Sequence, residues 1–199
     1  MRIYSTGERG MKTVGIVLAG GLSRRFGSPK AFARFDSKYF YERAIEALEP
    51  ICDEVVVVTR EELIERFQSG VNTITDLPVV AGLGPLAGIY SAMEAIDADI
   101  YAVLPCDMPF VGYSIMNTVR QNHKGSVTAV KAAGKYHPLV SVWNKETKKP
   151  ILDALLAEQL SVMKLLQELD ITWINGNDLI NNGKPLFTNI NRPIDLERC

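Results

Sequence analysis

Two stretches, far apart in the chain, carry residue types suited to holding a chain of phosphates. The first is Val14 to Lys30, VGIVLAGGLSRRFGSPK. Its loop glycines, Gly20, Gly21 and Gly27, let backbone N–H groups turn towards anionic oxygens with no Cβ in the way. Three cations follow within seven residues: Arg24 and Arg25 offer planar forks, Lys30 a point charge. The second stretch is Pro105-Cys106-Asp107-Met108-Pro109, in which two prolines fix the backbone on either side of one carboxylate. A carboxylate facing a triphosphate is a natural ligand for Mg²⁺, a cation usually held by one or two carboxylates plus substrate phosphates. Standing alone after a strand, the same Asp107 would cap the next helix.

Both stretches hang from apolar runs. Val14–Leu18 and Ile100–Leu104 have the length and branched content of strands buried on both faces, as does Glu54–Thr59. Val71–Thr75 and Ser126–Val130 read as further strands, and Ile171–Ile174 as extended. Helical spacing marks Tyr39–Leu48, stopped by Pro50, and Arg60–Phe67, ended by Gly70. It also marks Pro85–Ile96, the stretch after Pro109 to His123, Glu146–Leu156, Ser161–Leu169 and Pro193 onwards. Ala31–Phe35 reads as a short extended piece, and Lys131–Trp143 as an antiparallel hairpin turning at Gly134-Lys135. Strands alternating with helices predict an α/β, three-layer Rossmann-like fold: a mainly parallel sheet with a small antiparallel hairpin. Ligands then bind outside the carboxyl ends of the strands. Four clusters fall at such ends: Leu18–Lys30, Asp76–Gly88, Cys106–Pro109 and Phe187–Asn191.

Familiar phosphate motifs fit poorly. Five residues separate Gly21 from Gly27, and Ser28-Pro29-Lys30 follows, so the first loop is not G-x-x-x-x-G-K-[ST]. Gly82 to Ala87 matches G-x-G-x-x-A, with Asp107 standing 20 residues further on, the nominal spacing of a dinucleotide fingerprint. Six residues, Asp76 to Ala81, separate it from its strand, however. Pro85 also removes an N–H from the helix start that would hold a pyrophosphate.

LAGGLSRRFGSPK resembles the LAGG-x-S-x-R-x-G-x-x-K signature of the nucleoside-triphosphate transferases, and within them most closely the molybdenum cofactor guanylyltransferases, the MobA family. Gly84-Pro85-Leu86-Ala87-Gly88 matches that family as it stands. Pro-Cys-Asp-Met-Pro resembles its P-C-D-T-P, with Met108 in place of threonine. Phe187–Pro193 resembles F-x-N-[IV]-N-T-P, with Arg192 in place of threonine, and His137-Pro138 resembles its H-P after the hairpin. Thr59-Arg60 stands where the family often shows Asn-Arg, so no base contact is carried over there and the preference for guanine is weaker.

The resemblance implies transfer of GMP from GTP to the phosphate of molybdopterin, with release of pyrophosphate. It assigns Arg25, Lys30 and Asp107 to catalysis, with Mg²⁺ on Asp107. Leu18, Ala19, Gly20, Gly21, Lys30, Asp76 and Asp107 would bind GTP; Arg25, Gly84, Gly88, Asn189 and Asn191 would bind molybdopterin. Asp76, 31 residues before Asp107, reads equally as an Asx-turn residue. Asn189 and Asn191, on one face of an extended segment, either reach the pterin phosphate and a metal-bound water or cap the Pro193 helix. Two alternatives stay open: a cytidylyltransferase for molybdopterin or another phosphorylated acceptor, and a non-catalytic nucleotide-binding module.

The whole chain sets bounds. Its 199 residues suit one domain over 13–199, and a formal net charge of −1 argues against a nucleic-acid binder. No apolar run approaches the length of a membrane span. Three well-separated cysteines, Cys52, Cys106 and Cys199, fit reduced thiols in the cytoplasm. Met1–Gly10 lacks a signal peptide's apolar core, and Met11 precedes the first strand. Residues 1–12 therefore read as a poorly ordered leader left by an upstream start. GTP, molybdopterin and other proteins of molybdenum cofactor biosynthesis are the expected partners.

Overall fold

The computed structural model describes residues 10–23, 25–179 and 186–197. The leader expected over 1–12 lies outside the described residues as far as residue 9, and so do Arg24 and the last two residues of the expected C-terminal helix. Lys12, assigned to that leader, already belongs to the sheet margin. Its N–H donates to Asp99 Oδ2 at 2.8 Å, and its carbonyl accepts from the N–H groups of Asp99 and Ile100.

Among the described residues the strands are β1 (Thr13–Leu18), β2 (Arg34–Phe35), β3 (Lys38–Tyr39), β4 (Glu54–Thr59), β5 (Thr73–Thr75), β6 (Ile100–Pro105), β7 (Val127–Ala132), β8 (Lys135–Asn144) and β9 (Ile171–Asn175). Seven build one sheet in the order β5-β4-β1-β6-β8-β7-β9, in which only β8 runs against its neighbours. The α-helices are α1 (Phe40–Leu48), α2 (Pro85–Ala95), α3 (Tyr113–Gln121), α4 (Lys148–Leu156), α5 (Val162–Glu168) and α6 (Ile194–Glu197).

The period-2 alternation of buried strands sorts the core into two layers. Val17, Val57 and Leu104 point to the face covered by α1 and α3. Ile16, Val56 and Val103 point to the face covered by α2, α4 and α5. Because both faces are covered, the central strands are apolar throughout, which is why their runs were readable. No helix among the described residues is long and apolar enough to cross a membrane.

Three local readings need correction. Ala31–Phe35 is not simply extended: Lys30–Phe32 forms a 3₁₀ turn, and β2 then pairs antiparallel with β3 as a separate two-stranded sheet. Glu61–Arg66 is 3₁₀ rather than α-helical; so short a segment, burying Leu63 and then Phe67, gains little from α-helical propagation. The hairpin is also not a separate appendage. Its first arm is β7 itself, which the sequence ended two residues early at Val130, and its turn is Ala133-Gly134. Both turn residues have positive φ (48° and 74°), as a tight twisted hairpin requires.

Candidate active site

β1 passes through α1 to β4 on one side, whereas β5 passes through α2 to β6 on the other. The strand order reverses between β1 and β6, so the crevice at their carboxyl ends is where this architecture binds ligands. A cavity of about 870 Å³ opens there, within the range of small-molecule sites. Its lining includes Leu18–Ser23, Lys30, Asp76, Gly84, Gly88, Asp107 and Asn189. Residues from all four clusters therefore meet.

The first loop is shaped by Ser23. Its backbone is left-handed (φ 49°), its hydroxyl donates to the Gly21 carbonyl at 3.2 Å, and its Oγ accepts the Lys30 N–H at 3.1 Å. The Ala19 N–H donates to the Val58 carbonyl at 2.8 Å, tying the loop's entry to the end of β4. The loop thus leaves the sheet, folds over Ser23 and returns Lys30 to the crevice.

Lys30 Nζ lies 2.6 Å from Asp107 Oδ2 and 3.0 Å from Asn191 Oδ1. The other carboxylate oxygen of Asp107 accepts from Asn189 Nδ2 at 3.2 Å, and its backbone carbonyl accepts the Ile190 N–H at 2.8 Å. Segment 189–191 is therefore docked along the loop after β6. Asp195 fixes its far end by accepting the N–H groups of Asn191 and Arg192. Asp107 serves this network rather than merely capping α3, which begins six residues later. Met108, the departure from threonine, is 3% exposed and packs in the α1/α3 core, so its position contributes apolar packing instead of a hydroxyl.

The opposite wall follows β5. Asp76 Oδ2 accepts the Gly82 N–H at 3.2 Å, closing the six-residue loop after β5, and Asp76 lines the cavity. Burial pushes the Asp76 carboxyl up, and the Gly82 N–H opposes that shift. Gly84 opens α2 with φ 85°, and a Cβ there would meet open space. Gly88 is different: a Cβ would stand 3.0 Å from Leu18 and 3.7 Å from Asp76 Oδ1, so this glycine packs closely between the ends of β1 and β5.

Two predicted residues stand apart from the lining. Arg25 is exposed on the first loop, and Asn191 reaches the site only through Lys30. The lining also includes residues with no assigned role, among them Thr59, Arg60 and Leu139. The pairing of β7 with β8 shifts between Ala129–Ser141 and Val130–His137, so a bulge spans residues 138–140 and turns Leu139 to the cavity. Pro138 was the available signal, because proline inside a strand marks a bulge or an edge.

Among the described residues no group of three or more His, Cys, Asp or Glu side chains converges on a metal site. The crevice instead offers the hard oxygens of Asp107 beside the Asn189 amide. One carboxylate plus substrate phosphates is the usual Mg²⁺ arrangement, so the donor set fits that ion.

Residues 15–172 match the model of the MobA-like NTP transferase domain. A Geobacillus sp. (strain WCH70) protein named "Probable molybdenum cofactor guanylyltransferase" is 35% identical over 190 residues, covering 94% of this chain and 97% of its own. A Bacillus velezensis protein of the same name is 35% identical over 192 residues, covering 94% of each chain. Among solved structures, molybdopterin-guanine dinucleotide biosynthesis protein A from Archaeoglobus fulgidus superposes with a TM-score of 0.76 at 26% identity, covering 93% of this chain and 95% of its own. The chain belongs to the MobA-like NTP transferase family.

Proposed function

We propose that this nucleotidyltransferase, working as a single domain over residues 13–199, transfers GMP from GTP to the phosphate of molybdopterin and releases pyrophosphate. An oxygen of the acceptor phosphate forms the new bond to the α-phosphorus as the bond to the bridging oxygen of pyrophosphate breaks. The attacking oxygen is already anionic, so the barrier lies in charge repulsion and alignment, and positioning with electrostatic stabilisation does most of the catalysis.

The observation that carries this reading is the single ammonium of Lys30 shared between Asp107 and Asn191. It links the nucleotide loop, the candidate metal carboxylate and the Asn-x-Asn segment at one point. The backbone of Leu18–Gly21 and Lys30 hold the triphosphate; Asp76 holds the nucleoside; Asn189, Asn191, Gly84 and Gly88 face the acceptor. Arg25, on the loop's exposed side, steadies whichever phosphate protrudes. Asp107 would hold Mg²⁺, which would supply positive charge to neutralise the phosphates. The setting is the cytoplasm, and other proteins of molybdenum cofactor biosynthesis deliver the acceptor and take up the product.

Calorimetry of GTP, CTP, ATP and UTP with Mg²⁺ tests the nucleotide assignment, with Asp107→Ala as control. Tight binding of GTP alone, weakened in the variant, supports the reading. Preference for CTP would keep the chemistry and make the protein a cytidylyltransferase; binding without turnover would leave a nucleotide-binding module.

A further inference from the structure

The acceptor-side asparagines sit on a segment that has to be held somewhere other than at the reacting centre. Asn189, Ile190 and Asn191 contact the site through side chains and one backbone bond, and two residues before them stands Phe187. Its ring packs against the α1/α3 core layer and faces three features, two on the β7–β8 hairpin and one on the turn after β9. One is the His137 ring, tilted at 31° with centroids 5.2 Å apart. The second is the apolar side of β7, whose Val130 and Ala132 belong to that same core layer. The third is Gly176, where a Cβ would come within 2.7 Å of Val130 and Ala132 and 2.9 Å of Phe187 Cε2. Only glycine leaves room for the ring at that contact.

The socket is itself braced. His137 lies opposite Val130 because of the bulge in β8, and Asn177, next to Gly176, accepts the Ala133 N–H at 2.8 Å in the hairpin turn. One strand irregularity therefore serves both sides of the sheet, turning Leu139 to the cavity and setting His137 against Phe187.

We propose that Phe187, seated between His137 and Gly176, is the positioning residue that holds the Asn189–Asn191 segment against Asp107 and Lys30. The geometric part stands without any assumption about the reaction; the kinetic part rests on the guanylyltransferase reading above. In physical terms, the aromatic contact spends no polar group yet fixes one end of a five-residue run whose other end Asp195 caps. A displacement of about 1 Å at such a group is enough to cost on the order of 100-fold in rate.

The test is amide hydrogen exchange at Ile190, whose N–H bonds to the Asp107 carbonyl, measured in the full chain with Phe187→Ala, Phe187→Leu and Gly176→Ala. Phe187→Ala and Gly176→Ala should each lower Ile190 protection by roughly 10-fold or more while amides of β1 and β6 keep theirs; Phe187→Leu should restore most of it. In turnover, Phe187→Ala should lower kcat/KM for the acceptor by roughly 100-fold with GTP affinity changed less than about threefold, and should add little to an Asn191→Ala background. The proposal is overturned if Ile190 keeps its protection in both disrupting variants, or if β1 and β6 amides lose protection equally. Normal exchange effects without the kinetic split would instead remove the guanylyltransferase reading and leave the socket standing.

Discussion

Lys30 Nζ and Asp107 Oδ2 stand 2.6 Å apart although 77 residues separate them in sequence, and their side chains are only 15% and 18% exposed. The pair exists because β1 and β6 lie side by side in parallel register, Leu18 opposite Pro105, so both following loops leave the sheet at one edge. Asp107→Ala should therefore lose about 10²–10³-fold or more in turnover. It should remain folded, losing about 1–3 kcal/mol from the charged hydrogen bonds to Lys30 and Asn189. Steady-state kinetics and urea unfolding check both halves.

His137 gives a pH signature. Burial lowers its pKa, the Ala132 backbone opposes this, and nearby Lys135 adds to it. The folded protein thus binds this proton less readily than the unfolded chain, whose histidine titrates near 6.5. The associated stability is fully present above that value and is lost as pH falls through the lowered folded pKa. His137→Phe should keep the packing on Phe187 and flatten this acid-side loss, measured as melting temperature against pH.

Asp76 carries the opposite sign. Its raised pKa means that the folded state holds the proton more tightly, so the extra stability is present below the unfolded value of 3.8 and is lost as pH rises through the raised pKa. Asp76→Asn keeps an oxygen for the Gly82 N–H and removes the half-buried charge. It should match or exceed the parent in stability at neutral pH while binding nucleotide roughly tenfold more weakly, read by thermal melts and calorimetry.

Gly84 tests backbone conformation alone. A Cβ would have free space there, so the cost of Gly84→Ala comes from its φ of 85°. About 1–2 kcal/mol of stability should be lost, by chemical unfolding, with the start of α2 displaced.

What the sequence revealed and what it hid follow from one distinction. β1, β4 and β6 were legible because strands buried on both faces are apolar throughout, and α2 because Pro85 marks its first turn. The loop after β1 and the turn around Asp107 were legible as chemistry because their compositions break from the flanking apolar runs. Hidden was whatever depends on register. Leu139 reaches the cavity only through the bulge in β8, and a three-residue shift leaves no periodic trace. The hairpin looked independent because nothing local says that β8 pairs with β6 as well as with β7. Nothing in the sequence singles out Gly176; the reason for a glycine there is a ring from eleven residues further along the chain.

The most direct test of the central claim uses GTP labelled at its α-phosphate, with molybdopterin, Mg²⁺ and the full chain. One label should transfer to the pterin phosphate for each pyrophosphate released, with CTP a poor substitute and Asp107→Ala inactive. Folded protein that binds GTP yet transfers no label, or transfers it equally well in Asp107→Ala, would contradict it.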